Sequence, residues 1–317
     1  MRKVFITRRL SPMAKEMLKE NFEVNSSDKN EPYPGEKLLN IVSEYDAIIT
    51  TVSEKLDKMI LKHKKNLKVI SNYAVGLDNI DVKYAESVGI TVYNTPDVVT
   101  NSTADLTFAI LLSLIRKISF ACDYVKKDKW KVWDPEIFLG EELIGKVFGI
   151  LGFGKIGEAV ARRAMGFGLD IIYYNRSNKE VDSFLSPYVT PVSLSELLET
   201  SDYLSIHLPF TNETEGFINK KTINKMKKKP IILNIARGNI INTDDLVEAL
   251  ESGKIRGAGL DVTAPEPLPG DHTLSHFNNC IVVPHIGTAT HECRNNMARL
   301  AAYNIINHFS RNLNDDR

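Results

Sequence analysis

VFGILGFGKIG, residues 147–157, runs an apolar strand into three glycines spaced Gly152-x-Gly154-x-x-Gly157, and a helical pattern follows over Ile156–Phe167. Each glycine has its own physical reason in that setting. Gly152 allows a tight turn, Gly154 lets backbone approach a pyrophosphate, and Gly157 lets the helix pack close to the strand. The helix start adds N–H groups that lack intrahelical acceptors and suit an anion. The spacing alone occurs by chance in many chains. With a strand before it, a helix behind it and a second strand ending at Tyr174, about 20 residues on, it predicts a dinucleotide-binding turn. The alternative is a glycine-rich αβ turn with no ligand.

The second strand ends in IIYYNRS, residues 171–177. An acidic residue here accepts from the ribose 2′-hydroxyl and repels a 2′-phosphate. No Asp or Glu stands between Ile171 and Asn178, and Asn175, Arg176 and Ser177 offer an amide, a cation and a hydroxyl. An arginine fork suits a phosphate dianion, so NADP(H) is the preferred cofactor, with NAD(H) possible. The open alternative is a solvated arginine that stacks on the adenine while either cofactor binds.

Working outward, short strand patterns alternate with helical ones almost end to end, the mark of parallel sheets covered on both faces. Strands are expected at Lys3–Thr7, Phe22–Asn25, Asp46–Thr50, Leu67–Ser71 and Ile90–Asn94, with helices such as Pro12–Glu20 and Leu56–His63 between them. Thr95-Pro96 stops the last of these strands, because proline restricts its predecessor and cannot donate to the ladder. One long helix is expected from about Asn101 to Lys126. Six strands follow, at Lys146–Leu151, Asp170–Tyr174, Tyr203–His207, Ile231–Ile235, Gly257–Asp261 and Ile281–Val283, and a final helix runs from His291 to about Ser310. The fold class is α/β: a doubly wound cofactor domain (98–287) inserted in a flavodoxin-like substrate domain (1–97 and 288–317).

Bulk composition excludes several classes. At 317 residues the chain suits two domains, and 43% hydrophobic with 25% charged residues argues against disorder. Lys+Arg and Asp+Glu are both 40, so no global basic field invites nucleic acid. The greasiest stretch, Leu106–Ile115, is too short to span a bilayer and contains Thr107 and Ser113. The opening MRKVFITRRL has no signal-peptide core, and Cys122, Cys280 and Cys293 lack metal-ligand spacing. A cytoplasmic protein with reduced thiols, no metal site and no membrane or nucleic-acid partner is the expectation.

The later strand ends carry the candidate chemistry. NIARGNI places Arg237 past one strand, LDVTAPEPLP places Asp261 at the end of the next with Glu266 in a proline-rich loop, and VVPHIGTAT places His285 past the last. Open α/β sheets bind ligands at the carboxyl ends of their strands. Each residue alone also suits a bland role: a surface arginine, a solvated glutamate, a satisfied histidine.

The chain resembles the D-isomer-specific 2-hydroxyacid dehydrogenases over nearly its whole length. The likeness rests on NYAVGLDNID (72–81), LGFGKIG (151–157), HLPFTNETEG (207–216), NIARGNIIN (234–242), GLDVTAPEPLP (259–269) and VPHIGTATHECRNNM (283–297). The last two, with WKVWDP (130–135), look most like the glyoxylate reductase/hydroxypyruvate reductase branch. The resemblance implies that Arg237 binds the substrate carboxylate and polarises the carbonyl, that His285 is the general acid, and that Glu266 orients it. Backbone N–H groups of Val75 and Gly76 would complete the carboxylate site. It further implies that Asp261 holds the nicotinamide carboxamide, that Thr103 lines its pocket, and that His207, Pro209 and Thr214 border the adenosine and phosphates. Phe153, Lys155, Ile156, Ile235, Ala236 and Gly287 complete the implied cofactor set. A homodimer through the cofactor domains is implied, with Trp133 reaching the neighbouring substrate site; the alternative is that Trp130 and Trp133 only pack in the interface.

Two departures narrow the substrate. The acidic ribose contact is missing, and TTVSEKL after Ile49 lacks the arginine that 3-phosphoglycerate dehydrogenases generally use for a substrate phosphate. With the sequence running to Arg317, no C-terminal regulatory domain is expected. The expectation is therefore NADPH-dependent reduction of glyoxylate and hydroxypyruvate to glycolate and D-glycerate, with hinges near Pro96 and Pro284–Ile286. Alternatives are 3-phosphoglycerate dehydrogenase, a broad 2-ketoacid reductase, or a non-enzymatic NAD(P)H-sensing regulator.

Overall fold

The computed structural model describes residues 1–27, 29, 31–177 and 179–315, and the chain divides into two compact units, 1–99 with 288–317 and 100–287. In the first unit, β1 (Lys3–Ile6), α1 (Pro12–Lys19), β2 (Glu23–Ser26), α2 (Gly35–Glu44), β3 (Ala47–Thr50), α3 (Lys58–Leu61), β4 (Val69–Asn72), α4 (Val82–Ser87) and β5 (Thr91–Tyr93) alternate. The sheet is parallel, in the order β2-β1-β3-β4-β5. Its central strands AIIT and VISN are buried at every position, as parallel strands covered on both faces must be.

The second unit begins with α5 (Thr100–Ile115) and α6 (Ile118–Lys126). It continues with β6 (Val147–Leu151), α7 (Lys155–Gly166), β7 (Asp170–Tyr174), β8 (Val189–Pro191), α8 (Leu194–Thr200) and β9 (Tyr203–Ile206). Then come α9 (Lys220–Ile223), β10 (Ile231–Asn234), α10 (Thr243–Glu251), β11 (Gly257–Leu260) and β12 (Cys280–Val282), after which α11 (His291–Asp315) returns to the first unit and packs on α1 and β4. The sheet order is β12-β11-β10-β9-β6-β7-β8, all parallel. The order reverses between β6 and β9, which is where a doubly wound sheet binds its ligand.

Three sequence expectations need correction. The sheet has seven strands rather than six, because β8 is three residues long, ends in Pro191 and pairs only with β7 at the edge. The helix expected over 101–126 is two helices. At the end of α5 the Ile115 carbonyl accepts from Glu141 N (3.1 Å), and a Cβ on Gly140 would lie 2.2 Å from that oxygen. The returning segment caps α5, and the chain swings away at Lys117, whose φ is +54°. The helix expected over 56–63 shrinks to α3, since Leu56 pairs with Ile80 in a bridge and Asp57 caps the helix through Ile60 N.

The core of the second unit centres on Phe148, whose ring stacks on Phe108 at 5.5 Å, with Phe108 stacked in turn on Phe167 at 5.0 Å. This packing fixes α5 and α7 against the sheet, and so fixes the turn that lies between β6 and α7.

Candidate active site

The glycine turn is built as its sequence requires. Gly152 sits at φ +96°, and a Cβ there would lie 2.8 Å from the His207 carbonyl carbon, so both the conformation and the close approach of the β9 exit demand glycine. A Cβ on Gly157 would lie 2.6 Å from Gly152 O, which is the close packing of helix on strand. Gly154 differs: a Cβ there meets nothing within 4 Å, so the glycine keeps open a space that protein atoms do not fill. The first turn of α7, including Lys155 and Ile156, begins at this point with N–H groups that a helix cannot satisfy internally.

The exit of β7 braces the turn. Asn175 Oδ1 accepts from Phe153 N at 2.6 Å, and Asn175 Nδ2 donates to Phe153 O at 3.3 Å. The asparagine is thus a latch on the turn as well as a strand-end polar group. The Arg176 guanidinium pairs with Glu213 in the loop after β9; both side chains are largely exposed, as is Ser177. In the same loop the Thr214 hydroxyl accepts from Thr211 N and donates to Pro209 O, both at 2.8 Å or less, so it shapes the loop itself. His207 Nε2 meets Ser205 Oγ at 2.7 Å, while its shielded Nδ1 has no partner among the described residues. Burial lowers the His207 pKa to about 4, so the ring is neutral. A buried orphan nitrogen at the reversal point, beside an unfilled glycine cradle and a helix start, fits a polar dinucleotide.

Three later strand ends build a second cluster. Past β10, buried Asn234 braces the turn: its Oδ1 accepts from Ala236 N and its Nδ2 donates to Arg237 O at 2.9 Å. Ile235 is buried beneath it, and Arg237 Nη1 donates to Ala236 O at 2.8 Å. Gly238 lies so close to the next loop that a Cβ would fall 1.9 Å from Thr263 O. Only glycine allows the Arg237 turn to press on the loop that carries Glu266.

Past β12, His285 Nδ1 lies 2.6 Å from Glu266 Oε1, and Glu266 Oε2 accepts from Thr263 N at 3.4 Å. An ionised carboxylate only accepts, which places the Nδ1 proton on its line and turns Nε2 toward other partners. His285 is held at φ +52°, a conformation that costs a non-glycine residue about 1–2 kcal/mol. Asp261 sustains it. Its backbone O accepts from His285 N at 2.9 Å, and its carboxylate accepts from Ile286 N at 2.6 Å and Gly287 N at 2.9 Å. A Cβ on Gly287 would meet Asp261 Oδ2 at 2.9 Å. Asp261 is 2% exposed, and desolvation raises its pKa against the opposing pull of those two amides. Thr103 is buried alongside, its hydroxyl 3.4 Å from Gly287 O. A cavity of about 350 Å³ opens against Asp261, Glu266 and His285.

In the first unit, Val75 and Gly76 follow β4, with Val75 39% exposed. Trp133 and Trp130, in the segment before β6, are 76% and 64% exposed. Sequence reasoning missed the bracing residues Asn234, Ser205 and Thr263 and the partner Glu213. None of them carries a periodicity or spacing signal.

Comparisons with known proteins agree on one family. The sequence model described as the D-isomer specific 2-hydroxyacid dehydrogenase NAD binding domain matches residues 108–287. The glyoxylate reductase of Pyrococcus furiosus is 44% identical over 309 residues, covering 96% of this chain and 91% of that protein. Among solved structures, a glyoxylate reductase from Paecilomyes thermophila is 32% identical with a TM-score of 0.85, covering 96% of this chain and 94% of that one. An NADPH-dependent glyoxylate/hydroxypyruvate reductase from Sinorhizobium meliloti, solved with NADP and malonate, is 29% identical with a TM-score of 0.86, covering 98% and 94%. The chain belongs to the D-isomer-specific 2-hydroxyacid dehydrogenase family and is a nicotinamide-dependent oxidoreductase.

Proposed function

We propose that this 2-hydroxyacid dehydrogenase reduces glyoxylate and hydroxypyruvate to glycolate and D-glycerate, with NADPH preferred over NADH. The observation that carries the reading is the His285–Glu266 pair at 2.6 Å, on a loop against which the Arg237 turn is pressed through Gly238. A bound nicotinamide cofactor supplies the hydride. Residues 152–157 and 175–177, with His207, Pro209, Thr214, Ile235, Ala236, Asp261, Gly287 and Thr103, hold it.

Arg237 binds the substrate carboxylate through its planar fork and polarises the adjacent carbonyl. His285, oriented through Nδ1 by Glu266, donates the Nε2 proton to the carbonyl oxygen as its carbon gains the hydride, and the product is the 2-hydroxy acid. Val75 and Gly76 offer backbone N–H groups to the carboxylate. Arg176 and Ser177, with no acid nearby on the strand end, favour the 2′-phosphate of NADPH.

The domain at 1–97 and 288–317 serves the substrate and 98–287 the cofactor. Exposed Trp133, Val132 and Ile144 suit a homodimer interface, and free thiols at all three cysteines suit the cytoplasm. No helix among the described residues is long and apolar enough to cross a membrane. The test is a steady-state survey crossing glyoxylate, hydroxypyruvate, pyruvate and 3-phosphohydroxypyruvate with NADH and NADPH. Highest kcat/KM with glyoxylate or hydroxypyruvate and NADPH supports the proposal; a preference for the phosphorylated acid overturns it.

A further inference from the structure

The loop after β4 carries two amides whose direction is set by other groups. In a trans peptide the N–H points opposite the C=O, so pinning a carbonyl aims the next residue's N–H. Ala74 O accepts from Thr95 N at 2.9 Å, which aims the Val75 N–H away from Thr95. Val75 O accepts from Asn94 Nδ2 at 2.8 Å, which aims the Gly76 N–H away from Asn94. Gly76 O is pinned in turn by Asn72 Nδ2 at 2.8 Å, and neither the Val75 nor the Gly76 N–H has a partner among the described residues.

The pins are themselves anchored. Asn72 is fully buried, and its Nδ2 also donates to Asn79 Oδ1 at 3.1 Å. Asn79 Nδ2 donates to Thr51 O at 2.9 Å and Glu54 O at 3.1 Å. Glu54, at 0% exposure, accepts from Arg8 Nε, Thr7 Oγ1 and both the N–H and the hydroxyl of Thr51. On the other side, Asn304 Nδ2 donates to Asn94 O at 3.1 Å. Buried polar groups this fully satisfied hold one arrangement.

We infer that Asn94 is a positioning residue for substrate: by holding Val75 O it aims the Gly76 N–H, while Thr95 N holds Ala74 O and aims the Val75 N–H, so that the two N–H groups converge on a carboxylate. The inference rests on the proposal that these amides bind the substrate. Asn94 touches no reacting atom, and its effect belongs in substrate binding.

The test uses the full chain with NADPH saturating. Asn94→Asp keeps the shape and replaces the donor with an acceptor; Asn94→Ala removes the donor without adding charge. Both should raise KM for glyoxylate roughly 10-fold, with the Ki of oxamate, an unreducible carboxylate of similar shape, rising in parallel. Over the same series kcat should stay within about threefold and the NADPH KM should not move. An unchanged glyoxylate KM overturns the clamp, as does a joint fall of kcat, NADPH affinity and Tm, which marks a residue that only supports the fold. Val75→Pro, which deletes one amide outright, separates the two claims. If it leaves KM unchanged, the reading of the loop fails; if it raises KM while both Asn94 variants do not, the clamp alone fails.

Discussion

The proposed preference for NADPH turns on Arg176, and the structure gives that arginine a competitor. Its guanidinium pairs with Glu213, and the two side chains are 83% and 71% exposed. Exposed ion pairs are worth about 0–1 kcal/mol, so exchanging Glu213 for a phosphate costs little. A charge-assisted contact contributes about 1.5–3 kcal/mol, which leaves a net of about 0.5–3 kcal/mol, or roughly a 2- to 150-fold preference for NADPH in kcat/KM. Arg176→Ala should bring that ratio close to one. Glu213→Gln should raise it about two- to fivefold, because the competing carboxylate and its repulsion of phosphate both disappear. Changing Asn175 to Asp together with Arg176→Ala should reverse the order of the cofactors. The new carboxylate still accepts from Phe153 N, loses only the longer bond to Phe153 O, and repels a 2′-phosphate. The assay is kcat and KM for both cofactors at fixed ionic strength, since salt weakens exposed charge contacts. An Arg176→Ala enzyme with an unaltered ratio, or a Glu213→Gln enzyme that loses NADPH preference, refutes the reasoning.

Other expectations follow from the same geometry. Glu266→Gln can donate where the carboxylate only accepts, so His285 loses its orientation and kcat/KM for glyoxylate should fall about 10²–10⁴-fold with the NADPH KM unchanged. An equal rise in NADPH KM would contradict the assignment. His207 supplies a pH dependence of stability: its folded pKa of about 4 lies below the unfolded value of about 6.5, so the unfolded chain takes up the proton first. Stability from this group is full above about pH 6.5 and is lost as pH falls toward 4, by at most about 3 kcal/mol. Urea unfolding across that window should show a shallower decline in His207→Gln, and an identical slope would exclude the histidine as its cause. Trp133→Ala should change the ratio of hydroxypyruvate to glyoxylate turnover while the proposed dimer stays intact by sedimentation; equal loss on both substrates would leave the tryptophan a packing role only.

Legibility in the sequence followed the range of the interactions. The glycine turn was readable because a turn, a close approach and a helix–strand contact each demand glycine at a fixed spacing, and two of those demands are visible as near-clashes at residues 152 and 157. Arg237, Asp261 and His285 were readable as strand-end residues because parallel β10, β11 and β12 deliver their exits to one edge. The break at Lys117 was not readable, since it depends on Gly140 and Glu141 meeting the end of α5 from 25 residues away. The edge strand β8 was too short to alternate. Side-chain bonds to distant backbone, such as those of Asn94, Asn175 and Asn234, leave no periodic trace. Asp261 shows the same limit: its strand-end position was legible, but its grip on the 285–287 backbone was not.

The most direct test of the account is the product balance of the wild-type chain with glyoxylate and NADPH, beside Arg237→Lys, which keeps the charge but loses the planar fork. One glycolate should form per NADPH oxidised, and kcat/KM for glyoxylate should fall far in the variant with NADPH affinity nearly unchanged. No glyoxylate-dependent oxidation of either cofactor by the wild type, or a variant of near-normal kcat/KM, would contradict it.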